Sequence, residues 1–279
     1  MSTEEKKCVL EIKKTNYNQN LRARYENIHT NRMSDTDSKI SGYPQNIPQS
    51  NIDKFFGRKR ELKLLHQKLQ HNGQVAVEGV GGVGKTELAI QYSLLHLKSN
   101  TYPGGICWIQ ARKPNIGSQI VDFAHNKLGL KPLKNLELLD QVYWLWKRWR
   151  EGNKLIVLDD VKNYSIIERY LPPQEFQFKV LITTRLKLDC PSTLYLEGLS
   201  ELDALNLLIQ IVGSDKVNQE LATAKELCRR LGYLPLALQL MGQYVKKRRI
   251  SLSKELQHLE DKEIIHPLLR SKKNDLLGL

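Results

Sequence analysis

Residues 74–92 read QVAVEGVGGVGKTELAIQY. A short apolar run enters a glycine-rich turn, and a helical pattern leaves it at once. Gly79 to Thr86 fit G-x-x-x-x-G-K-[ST], the pattern of a loop that cradles phosphates. Gly79, Gly81, Gly82 and Gly84 are expected to let the backbone take positive φ and approach an anion closely. Successive backbone N–H groups, that of Val83 among them, then point inward, and the new helix contributes its positive dipole end. Lys85 has the reach for the β- and γ-phosphates, and the Thr86 hydroxyl suits Mg2+. The alternative, a plain β-to-α turn with a solvated lysine, lacks a reason for the whole pattern in this context. The stretch predicts nucleotide binding.

Working outward, Ile106 to Gln110, Lys154 to Asp160 and Lys179 to Thr184 are further apolar runs separated by helical patterns, and Leu194 to Leu196 forms a last, edge-like one. Near-continuous apolar strands alternating with helices indicate a parallel sheet covered on both faces. Ligands of such sheets sit at the carboxyl ends of the strands. Asp159 is therefore placed to hold Mg2+, directly or through water. Asp160 either orients or deprotonates an attacking water or is a loop or capping residue. Arg185, after Thr183 and Thr184, is aimed at the γ-phosphate. From Ser200 onward only helices are expected, including one from about Val217 to Leu231 and one from Leu236 to Arg249. Gly232 to Pro235 reads as the break between them. Residues 114–129 and 135–150 read as two helices, the second carrying four aromatics. These suit either base stacking or, with more support from their shared face, amphipathic packing.

Residues 1–50 are polar, with a weak helical pattern over Val9 to Arg24 and a linker over Ser34 to Ser50. Order is expected near Ile52. The formal net charge of +13 raises nucleic-acid binding, yet the densest basic runs, Lys147–Arg150 and Lys246–Arg249, fall at predicted helix ends, where cations suit the dipole. The four cysteines show no metal spacing, and no apolar run reaches about 18 residues. A soluble, cytoplasmic chain with no membrane contact is the expectation.

Five patches, FFGRKRE (55–61), GVGGVGKT (79–86), KLIVLDD (154–160), ITTR (182–185) and GYLPLAL (232–238), together resemble the NB-ARC domain of the STAND family of signalling ATPases. GKTELAIQYS (84–93) and YPGGICWIQAR (102–112) are similar to bacterial members. The resemblance implies an α/β P-loop NTPase: a three-layer α/β/α parallel sheet over 51–198, then a small all-helical lid over 199–279. Phe56 and Arg58 would flank the adenine of ATP or ADP. The 79–86 loop and Glu87 N–H would take the phosphates, Thr86 and Asp159 the Mg2+, and Arg185 the γ-phosphate. Pro235 would touch the base or sugar from the lid. Glu87 stands where many members have a second threonine. Members continue into a winged helix and a repeat sensor, and neither is recognisable here, so a switch core without its sensor is expected. The implied function is an ATP/ADP switch with slow or no hydrolysis that engages proteins or itself in the ATP state. A turnover ATPase and a basic nucleic-acid-binding regulator are the alternatives.

Overall fold

Five strands make one parallel sheet: β1 (Gln74–Glu78), β2 (Gly105–Gln110), β3 (Lys154–Val161), β4 (Phe178–Thr184) and β5 (Thr193–Tyr195), in the order β2-β3-β4-β1-β5. The structure is a computed structural model that describes residues 43–50, 52, 55–132, 135–173, 177–188 and 192–261. The expected helix over 9–24 lies outside the described residues. Every residue of β4 is buried, as a central strand covered on both faces requires. β5 is short and sits at the edge, next to β1.

Helices α1 (Lys59–Asn72) and α2 (Lys85–Lys98) pack their Leu65, Leu69, Leu88 and Tyr92 against Val75, Val77, Leu155 and Leu181 of the sheet. The short α5 (Tyr164–Glu168), not anticipated from sequence, follows β3, its amino end capped by the Asn163 side chain on Ser165 N–H. The expected helices before β3 are present as α3 (Ile116–Leu128) and α4 (Leu138–Arg148).

The described chain divides into two compact units, one holding residues 117–150 and the other 43–116 and 151–261. Within the first, Trp146 stacks on Trp149 at 5.0 Å between centroids and Phe123 on Trp149 at 5.4 Å. Phe123, Trp146 and Trp149 are all buried. Trp146 and Trp149 are core, which disposes of the base-stacking reading for these two.

In the second unit a helical part follows β5: α6 (Glu201–Val212), α7 (Ser214–Gln219), α8 (Leu221–Arg230), α9 (Pro235–Arg248) and α10 (Leu252–Asp261). Leu205, Leu208, Leu227, Leu238 and Met241 are among its core. Ser200 caps α6, accepting from Asp203 N–H at 3.1 Å. The single helix expected over 217–231 is instead two, broken at Glu220 (φ -120°, ψ 41°). The Glu220 carboxylate leaves its own helix to accept the N–H groups of Leu252 and Ser253 at 3.0 and 2.8 Å. It thereby caps α10, a tertiary demand that overrides local helix propensity.

Residues ahead of Ile52 are also part of the described fold. Residues 43–50 lie along the outer edge of β2, where Pro44 O accepts from Ile106 N–H at 2.9 Å and Gln45 bridges Ile106 in parallel. Asn46 imitates a strand with its side chain, donating to Trp108 O (2.8 Å) and accepting from Trp108 N–H (2.6 Å). An edge strand left bare is a template for unwanted pairing, and this strap covers it.

Candidate nucleotide site

The loop between β1 and α2 takes its shape from its glycines. A Cβ on Gly79 would lie 2.5 Å from Leu196 O, and one on Gly82, at φ +79°, would lie 3.2 Å from the Leu236 side chain. Gly81 departs from the expected pattern, since it is not among the residues with positive φ. A Cβ there would meet the Arg185 guanidinium at 3.4 Å, an ordinary contact, which places Arg185 over the loop. Gly84 precedes the first turn of α2 with no side-chain cap, leaving that turn's N–H groups to a ligand. Lys85 is buried and donates to Gly79 O and Val80 O at 2.8 and 2.9 Å. Desolvation, with Arg185 nearby, pushes its pKa down, while Asp160 and Asp159 pull it back up.

Beside the loop, the end of β3 supplies the carboxylates. Thr86 donates to Asp159 Oδ1 at 2.8 Å, and Thr183 on the adjacent β4 donates to the same oxygen at 2.6 Å. The β3–β4 register shifts between Leu158 and Val161, and Asp160 turns left-handed there (φ 56°), its N–H donating to Thr183 Oγ1 at 2.9 Å. Thr183 therefore fixes both aspartates, a role the sequence reading missed because the two strands are adjacent only in space. Among the described residues no three His, Cys, Asp or Glu side chains form a metal cluster. The Thr86 hydroxyl beside the Asp159 carboxylate fits Mg2+, which takes one or two protein oxygens and leaves the rest to phosphate and water.

Two guanidiniums flank Asp160. Arg185 Nε is 4.0 Å from Oδ1, and Arg112 NH1, from the loop after β2, is 4.0 Å from Oδ2. Arg112 was not singled out from the sequence.

A cavity of about 700 Å3 lies over the loop and is lined by Phe56, Arg58, the backbone and side chains from Gly82 to Glu87, Asp159, Asp160, Arg185 and Pro235. The sequence-derived candidates thus converge, with Gly79 and Gly81 shaping the loop from behind the lining. Arg58, buried and left-handed (φ 65°), spends its guanidinium on Val83 O (3.3 Å), Glu197 O (2.6 Å) and Glu61 (2.9 Å). Its side chain locks the loop, and its contribution to the cavity wall is packing. Pro235 occupies the first turn of α9, where its missing N–H is no loss, and the next residue's N–H, Leu236, donates to Gly82 O at 3.3 Å. The glycine-to-proline turn is both the helix break and part of the cavity. Glu87 accepts from Ser50 and Gln91, each at 2.8 Å, which ties the strap to α2.

A glycine loop between the first strand and a helix, with that helix's Thr86 hydroxyl bonded to a carboxylate at the end of β3, defines a P-loop nucleotide-binding domain. Residues 58–217 match the model of the NB-ARC domain, and the chain belongs to that family. It is 27% identical over 219 residues to the regulatory protein AfsR of Streptomyces griseus and 25% over 223 residues to AfsR of Streptomyces coelicolor. Each alignment takes in 74% of this chain and 22% of the relative, so the chain spans under a quarter of those proteins. The Walker-type ATPase of Pyrococcus abyssi shares the fold at a TM-score of 0.50 and 12% identity, over 86% of this chain and 79% of that one.

Proposed function

We propose that this chain is an ATP/ADP-binding signalling switch of bacterial NB-ARC type, cytoplasmic, that hydrolyses ATP slowly if at all. Mg2+ would sit on Thr86 and Asp159, the phosphates on the loop, and the terminal phosphate under Arg185. The observation that carries the reading is the junction of Gly82 O with Leu236 N–H. The first turn of α9 rests directly on the phosphate loop, so a change in the loop on exchanging ADP for ATP bears on the helical part without an intermediary. A ligand shifts such an equilibrium only through differential contacts, which Arg185 would supply. The name of the Streptomyces relatives as regulatory proteins supports a signalling role. Protein partners, or self-association in the ATP state, follow from the same reading.

The test is to denature the purified protein and identify the nucleotide it releases, with Lys85→Ala beside it. Co-purified ADP or ATP in wild type and none in the variant is expected. An empty wild type that also takes up no Mg-ATP would overturn the proposal. A second reading, a turnover ATPase with Asp160 as base, draws on that residue's place in the cavity lining. Steady phosphate release abolished by Asp160→Asn would favour it. The basic runs bear on nucleic-acid binding less: Lys147 and Arg148 close α4, and Lys246 to Arg248 close α9, where they complement helix dipoles.

A further inference from the structure

Three neighbouring strand ends, β2, β3 and β4, deliver Arg112, Asp160 and Arg185 in that order along the carboxyl edge of the sheet. Each guanidinium faces a different oxygen of one carboxylate, at 4.0 Å. The arginine side chains are 67% and 64% exposed and free to swing, whereas Asp160 is 27% exposed and pinned through its backbone to Thr183. Arg185 also lies over Gly81 of the phosphate loop. It therefore has two anions within reach, the carboxylate at its side and any terminal phosphate on the loop.

We propose that Arg112 is a positioning residue that releases Arg185 from Asp160 when a terminal phosphate arrives. The inference rests on the nucleotide-switch reading above and adds to it a residue that tunes the preference of Arg185 for triphosphate over diphosphate. With Arg185 alone, Asp160 competes with the phosphate for one cation. Once that cation turned away, a bare carboxylate would remain beside the incoming negative charge. Arg112, on the other oxygen, keeps Asp160 compensated in both arrangements. Exchange of Arg185 between carboxylate and phosphate then leaves no unpaired charge behind. A diphosphate, with nothing under Arg185, does not engage this exchange. The device thus acts on the affinity ratio and spares the affinity for ADP.

The experiment is titration of nucleotide-free full-length protein with Mg-ADP and with a slowly hydrolysed Mg-ATP analogue, for wild type, R112A, R112K, D160N and R112A/D160N. An exposed charge pair is worth up to about 1 kcal/mol, so R112A should lower the triphosphate-to-diphosphate affinity ratio about fivefold with ADP affinity within about twofold of wild type. R112K should recover most of the ratio. In the D160N background, R112A should change it by less than about twofold, because no carboxylate is left to compensate. An unchanged ratio in R112A, or an equal effect with and without Asp160, would overturn the role of Arg112 while leaving the switch reading in place. A wild type that binds neither nucleotide would instead overturn the switch reading, and this inference with it.

Discussion

Thr183 is 1% exposed, and its single hydroxyl serves two aspartates, giving its proton to Asp159 Oδ1 and receiving one from Asp160 N–H. Replacement by valine keeps the volume and removes both bonds, leaving a buried N–H without its partner. The expected loss is about 1–3 kcal/mol in chemical denaturation. Serine should restore most of it, and a valine variant as stable as wild type would refute the account. Thr183 also marks the boundary of what was legible in the sequence. Gly79, Gly82, Lys85 and Thr86 could be read because a phosphate loop is built from consecutive residues, each with its own backbone or side-chain requirement. Thr183, Arg112 and Ser50 act across strand pairings and long separations, and nothing local in their neighbourhoods records the partner. Gly81 was expected to need a positive φ, and it has none.

Among the elements, α1 and α2 meet through a polar aromatic cluster under the sheet-facing core. His66 stacks on His96 at 4.4 Å between centroids, His66 Nδ1 bonds Tyr92 OH at 3.0 Å, and Tyr92 and Tyr102 share a 2.7 Å hydrogen bond. Burial lowers the pKa of His66, and burial together with His66 lowers that of His96 to about 4. Both histidines are therefore favoured neutral in the fold and titrate nearer 6.5 once unfolded. With the folded pKa depressed, the unfolded chain binds more protons below about 6.5, so the stabilisation is present above that pH and drains as pH falls towards 4. Thermal melts from pH 7.5 to 4.5 should show a falling midpoint, with a shallower fall in His96→Gln. Parallel slopes would remove the histidine pair as the cause. Helix positions themselves were largely readable from periodicity and caps. The break between α7 and α8 was not, because Glu220 abandons its helix to cap α10, a choice made by tertiary structure.

At the scale of the whole molecule, alternating strands and helices announced a parallel sheet, but the order β2-β3-β4-β1-β5 depends on which strands meet. The strap over 43–50 was hidden for a related reason. Asn46 completes the ladder with side-chain atoms, so its segment carries none of the apolar alternation by which strands are recognised. Asn46→Ala should destabilise the protein by about 1–2 kcal/mol through its two lost bonds. It should also speed hydrogen exchange at the Trp108 amide. Unchanged protection there would mean the strap contributes no cover to the edge.

The strap's described residues, 43–50, reach from the rim of β2 to Ser50 against Glu87, and Ile52 and Phe56 lie on the cavity wall. Mechanically it is a tether under shear. Tension applied at its amino end would load the Pro44–Ile106 backbone bond and the Asn46 side-chain bonds to β2 first, and the Ser50–Glu87 bond to α2 after them.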